Sequence, residues 1–213
     1  ATPATLDFIE VRGETHMDIN NQSLQGETIN IASKENFVLR NGSVLQDCQI
    51  TNRATSRYLL FARSVIEGGS FSTKVRLSEV IWLDMKLHGV SFKGKFVGND
   101  FGTRAETYEN LGEIRDCDFT EASVHYCRFF NCDIASNKFA PNHLIMPRNS
   151  TTSNALLTLS WPEQFRGLAG IFAEHIDDLS FDTVDISLLA KEEKTTEGEI
   201  RQAFGRVEGI VFT

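Results

Sequence analysis

Tyrosine and tryptophan are scarce in this 213-residue chain, three and two residues against sixteen phenylalanines. Phenylalanine has no polar handle, so the imbalance points to a stacked interior with little to bond a buried hydroxyl. Also missing is any apolar run near the roughly 18 residues that a membrane span takes. The opening Ala1-Thr2-Pro3-Ala4 has neither a basic flank nor an apolar stretch, so no signal peptide is read there and a cytoplasmic location is expected. The first residue is not Met, and a processed form or a piece of a longer protein is expected. Positive charge is not in excess. The formal charge of −8 argues against a general affinity for nucleic-acid phosphates. That charge sits at the ends: residues 1–28 carry −4, residues 29–139 carry +1 and residues 140–213 carry −5. A composition of 41% hydrophobic and 23% charged residues is that of a globular chain, not a disordered one.

What is present is a period. From Leu45, large apolar residues recur every five positions: Leu45 and Ile50; Phe61, Ile66 and Phe71; Leu77, Trp82, Leu87 and Phe92; then, after a one-residue contraction, Phe96 and Phe101. The last block, Ile114, Phe119, Val124, Phe129, Ile134 and Phe139, is unbroken. Two residues before each stands an uncharged and mostly small residue, among them Ser43, Cys48, Ser64, Gly69, Gly94, Cys117, Ala122, Cys127 and Cys132. Asn99 and Asn137 occupy the same position and, as buried amides, need partners. A helix repeats at 3.6 and a half-buried strand at 2, and neither gives five. Short strands separated by tight bends do, with two inward positions per strand. Four such segments close a coil of about 20 residues, and stacked coils pair at a spacing of about 4.8 Å.

The stretch Cys117-Asp118-Phe119, Ala122-Ser123-Val124, Cys127-Arg128-Phe129, Cys132-Asp133-Ile134 resembles the pentapeptide-repeat family, whose unit is a small residue, Asp or Asn, Leu or Phe, and two variable residues. Asp118 and Asp133 match the middle acid, whereas Ser123 and Arg128 do not. The resemblance covers about residues 43–139. It implies an all-β solenoid, a right-handed quadrilateral β-helix with the large residue stacked along the axis, and it places Phe119 beneath Phe139.

Residues 1–42 read as an irregular N-terminal cap with a first imperfect coil, since the open end of a stack exposes its core. Residues 43–139 form the β-helix, interrupted near 102–111 by a polar loop that breaks the period. Within that loop Arg104, Glu106, Tyr108 and Glu109 are the candidate binding residues, offering side-chain types common at interface hot spots. Residues 140–213 read as a helical region. Ser160-Trp161-Pro162-Glu163 opens one helix, Asp182 to Glu193 is a second candidate, and Thr196 with Glu199 makes a capping box for a third.

No constellation for chemistry emerges. Cys48, Cys117, Cys127 and Cys132 form no C-x2-C pair and all occupy the small inward position, so core thiols are expected. His125 follows the core Val124 and should point outward, away from Cys127, which leaves no nucleophile pair. Gly68 and Gly98 fall one position before an inward residue and are expected at bends. No metal or cofactor is expected. The expected function is a non-catalytic protein-interaction module that binds and modulates or neutralises a partner, as an immunity-type inhibitor or an effector recognition domain. Partners to expect are a toxin, a topoisomerase or a host enzyme, with no direct nucleic acid and no membrane, and a homodimer is compatible with the sequence. The alternative implied by the resemblance is a DNA-mimicking protein acting on DNA gyrase, against which stands the +1 charge of the rod. An enzyme with a site near Trp161 and His175 is the third reading.

Overall fold

Most five-residue units place one large and one smaller side chain inward, and the backbone turns a corner after each. The computed structural model describes residues 8–11, 14–102 and 112–213. In it the units stack as a β-solenoid whose parallel strands fall into three long sheets. The period between stacked residues is 21 along most of the rod: Leu24 pairs with Leu45, Leu45 with Ile66 and Ile66 with Leu87 at the Cα level. The next pair, Leu87 with Ile114, is longer because it carries the interruption around 102–111.

The corners explain why the variable positions are not free. The residue just before the small inward one is left-handed at Asp47, Arg63, Glu79, Asp84, Asp116, Tyr126 and Asn131, with φ between 49° and 59°. Asp and Asn tolerate that region best, and a larger residue there costs on the order of 1 kcal/mol. Gly68 and Gly98 hold the equivalent place, with φ of 66° and 63°, as expected for bends. Smallness at the inward position has a separate cause. A Cβ built on Gly69 would lie 2.1 Å from the Cys48 carbonyl oxygen of the coil beneath.

Rings fill the axis. Down one sheet, Phe61 stacks on Trp82 at 4.2 Å, Trp82 on Phe101 at 5.3 Å and Phe101 on Phe129 at 4.9 Å. Down a second, Phe92 stacks on Phe119 at 4.6 Å and Phe119 on Phe139 at 5.3 Å, the pairing implied by the period. The two columns meet edge to face, as between Phe119 and Phe129 at 5.4 Å, the arrangement that ring quadrupoles favour. The buried amides find partners. Asn99 Nδ2 donates to the carbonyls of Leu77 and Val97 and its Oδ1 accepts from Trp82 Nε1, while Asn137 Oδ1 accepts from the Cys117 N–H.

The stacking also reaches upstream of residue 43. Strands Glu14–Asn20, Ser23–Gln25 and Thr28–Ile31 pair in parallel with the next coil. The antiparallel strand Phe8–Val11 lies along Glu14–Asn20 at that end of its sheet.

The far end is closed differently. Strand Leu179–Asp185 runs antiparallel to Cys127–Phe130, and its Phe181 ring continues the column at 4.7 Å from Phe129. Strand His143–Pro147 pairs with it, and Val211–Phe212 pairs in turn with His143–Pro147. Around these strands pack four helices: α1 (Ser150–Thr158), α2 (Glu163–Ala173), α3 (Ile186–Glu192) and α4 (Glu197–Phe204). The helix expected over Asp182 to Glu193 is therefore corrected at its start. Asp182–Asp185 is strand because Phe181 and Thr183 alternate with Asp182 and Val184, and Asp185 caps α3 by accepting from the Ser187 and Leu188 N–H groups. The α4 capping box on Thr196 and Glu199 is formed as read from the sequence. No described helix is long and apolar enough to cross a membrane.

Candidate binding face and groove

Parallel stacking puts outward side chains into rows, one residue per coil. On two of the three sheets those rows are mostly polar, the exception being the half-buried Val44 and Val65 between Ser23 and Lys86. Thr28, Gln49, Ser70 and Ser91 form one, and Gln25, Gln46, Glu67 and His88 another. The third sheet differs. There Val38 pairs with Leu60, and Ile81 follows Leu60 in the next rung, just before the paired Trp82 and Phe61. The adjoining row carries Ala62 and Leu83. Leu60 is 48% exposed and Ile81 49% exposed. With Ile171 of α2 (57% exposed) they make three of the five large exposed hydrophobics among the described residues. A contiguous exposed apolar patch on a mostly polar rod is the kind of surface that marks a binding site.

Ion pairs frame the patch. Arg40 grips Asp18 with Nε at 3.2 Å and Nη2 at 2.7 Å, and Arg63 lies 3.5 Å from the buried Asp84 carboxylate. At the other end the row continues from Ile81 to Asp100, Arg128 and Asp182. Arg128 holds both oxygens of Asp100 at 2.6 and 2.7 Å, the bidentate fork that fits a carboxylate best. Asp182 takes Arg148, and both side chains are only 5% exposed. Burial raises the Asp182 pKa, and the Arg148 hydrogen bond and charge oppose that rise. Nη1 of Arg148 donates to the carbonyls of Ile171, Phe172 and Glu174. Arg148 thus satisfies the last turn of α2 and favours its negative end.

Where α2 leans over this row a groove of about 830 Å³ opens, within the usual range for ligand sites. Ile81, Leu168, Ile171, Phe172 and Ile176 supply its apolar surface, and the Asp100–Arg128 and Asp182–Arg148 pairs lie at its base. Since those pairs neutralise one another, the net charge of the groove falls to Glu79, Glu174 and Glu193, which have no cationic partner among the described residues. The strand rows and the far-apart segments that build this site share no motif, and its only trace in the sequence is an outward Ile or Leu at positions read as variable.

The four residues singled out in the sequence, Arg104, Glu106, Tyr108 and Glu109, lie outside the described residues. The cysteines are free and buried, each with its thiol toward the rod interior. Cys117, Cys127 and Cys132 donate to the carbonyls of Leu87, Phe96 and Ile114 in the coil beneath. Burial pushes each of these three thiols up to about 12 and raises Cys48 as well, so none offers a thiolate near neutral pH. His125 does point away from Cys127, but it is not exposed. The C-terminal helices cover it, and its Nε2 lies 3.1 Å from the Glu192 carboxylate of α3. His175 is on the surface against Asp177, whereas Trp161 packs on Phe204 and donates to the Leu156 carbonyl, so these two do not form one site. No group of three or more potential metal ligands occurs among the described residues.

Comparison with known proteins leaves the geometry to stand by itself: no family model, no curated protein and no solved structure matches the chain.

Proposed function

We propose that the chain is a pentapeptide-repeat-type solenoid serving as a non-catalytic protein-binding module. It docks a partner on the sheet face that carries Val38, Leu60 and Ile81, and so modulates or neutralises that partner. The observation that carries this reading is the position of the patch. The same sheet face that runs bare past Leu60 and Ile81 is covered further along by the C-terminal helices. A face that is apolar at both ends and covered at one is an unfinished layer, and a protein partner completes it. Ion pairs around an apolar centre also match the polar rim and dry centre of protein interfaces. The gyrase reading draws no comparable support. A duplex mimic needs unpaired carboxylates along the rod, whereas the outer rows hold largely Ser, Thr, Gln and aliphatics, and Asp18, Asp100 and Asp182 of the third sheet are paired with arginines.

The test compares the immobilised wild-type chain with Leu60→Asp/Ile81→Asp in lysate of the source cells. A partner retained by the first and lost by the second, with melting temperatures equal, is the expected result. Identical capture by both would remove the face from consideration.

A further inference from the structure

The groove and the apolar strip leading into it point to a particular occupant. We infer that the face binds an α-helix of a partner protein, amphipathic and basic, laid alongside α2. The inference rests on the binding-face reading above and specifies the partner's chemistry.

Three features select this occupant. The first is charge. The carboxylates of Glu79, Glu174 and Glu193 surround an apolar surface with no cation set against them among the described residues. A Lys or Arg on a helix whose other face is aliphatic meets both needs at once, its stem on Ile81 or Ile171 and its charged head at the rim. The second is the wall. Gln164, Leu168 and Ile171 of α2 face the groove at positions i, i+4 and i+7, one stripe of the helix. Between them stands Gly167, and Gly170 follows three residues on. A Cβ on either would meet nothing within 4 Å, so no contact inside the chain calls for glycine. Each costs the exposed helix on the order of 1 kcal/mol relative to Ala. A second helix packed close against the Gly167 side gives that cost a purpose, because without a Cβ two helix backbones approach closely. The third is length. From Leu60 through Ile81, Asp100 and Arg128 to Asp182 the row crosses five rungs, roughly 19 Å at the sheet spacing. That is longer than a small amine needs and equals about 13 residues of helix. A second copy of this chain is the poorer fit, since residues 140–213, which hold all the α-helices among the described residues, carry −5 and would set acid against acid.

The probe is a capped, fluorescently labelled 16-residue peptide of Leu, Ala and Lys. Its leucines form one helical stripe and its lysines flank them. It is titrated against the full chain by anisotropy, beside one version with Glu for Lys and one with a central Pro that breaks the helix. The lysine helix should bind at least ten-fold more tightly than either, and its affinity should fall with added salt. Glu79→Lys/Glu193→Lys should cost ten-fold or more and flatten the salt dependence. Gly167→Leu should abolish binding while the melting temperature holds or rises. Equal binding of the lysine and glutamate peptides, equal binding of the proline peptide, or full affinity in Gly167→Leu would each overturn the helix. So would self-association in sedimentation that Ile81→Asp abolishes, since a second copy would then own the face. If the peptide fails but partner capture still depends on Leu60 and Ile81, the binding face stands and the helical, basic occupant does not.

Discussion

At the scale of single residues the rod is a column of rings, and its energetics are those of a dry core. Phe129 touches Phe101 below, Phe181 above and the Phe119 and Phe139 rings beside it, with centroids between 4.7 and 5.6 Å. Phe129→Ala should cost about 3–5 kcal/mol, the usual figure for a large buried ring, seen as a lower denaturation midpoint. An unchanged midpoint would refute the register. These rings are legible because they fall on a five-residue apolar period shared with aliphatics such as Val124 and Ile134, a spacing that survives any choice of residue between. The ion-pair row of Asp100, Arg128, Asp182 and Arg148 was not legible, because strand pairing joins residues 28 and 54 positions apart. A second residue-scale prediction concerns His143. Its Nε2 accepts from the Val124 N–H at 3.2 Å and its Nδ1 faces the Ala140 carbonyl at 3.0 Å, which fixes a neutral tautomer with the proton on Nδ1. Burial lowers its pKa below the ordinary value of 6.5. The unfolded chain therefore takes up a proton that the folded chain refuses. Stability contributed above pH 6.5 is lost as pH falls toward the folded value, at a slope of up to about 1.4 kcal/mol per pH unit. Urea midpoints at pH 7 and pH 5.5 should differ more in the wild type than in His143→Gln, and equal differences would show that His143 is not the group responsible.

At the scale of elements the legible parts are those whose signal is local. The α4 capping box and the Pro162 start of α2 are written in adjacent residues. The first coil was less legible for a physical reason. Ile19, Leu24 and Ile29 keep the five-residue period, but Gln22 and Glu27 stand where later coils have Ser43 and Cys48. Ser43 and Cys48 are small because they sit over the carbonyls of Ile19 and Leu24 in the coil beneath, and donate to them. The first coil has no described coil upstream to impose that limit. Strand Leu179–Asp185 is legible only in part because its Asp182 and Thr183 look like a helix start, and only the rod edge at Cys127–Phe130 makes a strand there. Helix α2 carries the test that belongs to this scale. Gly167→Ala meets no neighbour and gains helix propensity, so it should stabilise the chain by up to about 1 kcal/mol. A rise of a few degrees in melting temperature is expected. A fall would mean that Gly167 is needed for the fold itself and would remove it from the docking argument.

At the scale of the whole molecule the question is whether rod and C-terminal helices are one cooperative unit. A solenoid is stabilised between neighbours and can lose its end coils first. Here the end is not a plain coil. On strand His143–Pro147, Ile145 joins the rod core while Leu144 and Met146 join the core of the helical region, and on Leu179–Asp185 Phe181 and Val184 divide the same way. Two strands therefore belong to both cores at once, so neither core opens without disturbing the other. Tyr126 and His125 add to the seam from the rod side, through Glu192 of α3. The two tryptophans report separately, since Trp82 is stacked in the rod and Trp161 packs on Phe204 in the helical core. In Trp161→Phe and Trp82→Phe, each keeping one reporter, fluorescence should follow urea with the midpoint of that protein's own far-ultraviolet circular dichroism. Coincidence in both is the two-state result. If the Trp161 signal moves at lower urea than the dichroism, the helical region opens independently of the rod. The groove, which is walled by α2 on one side and by the solenoid on the other, would then close and open with it, and partner binding should tighten the whole molecule in proportion to ligand concentration.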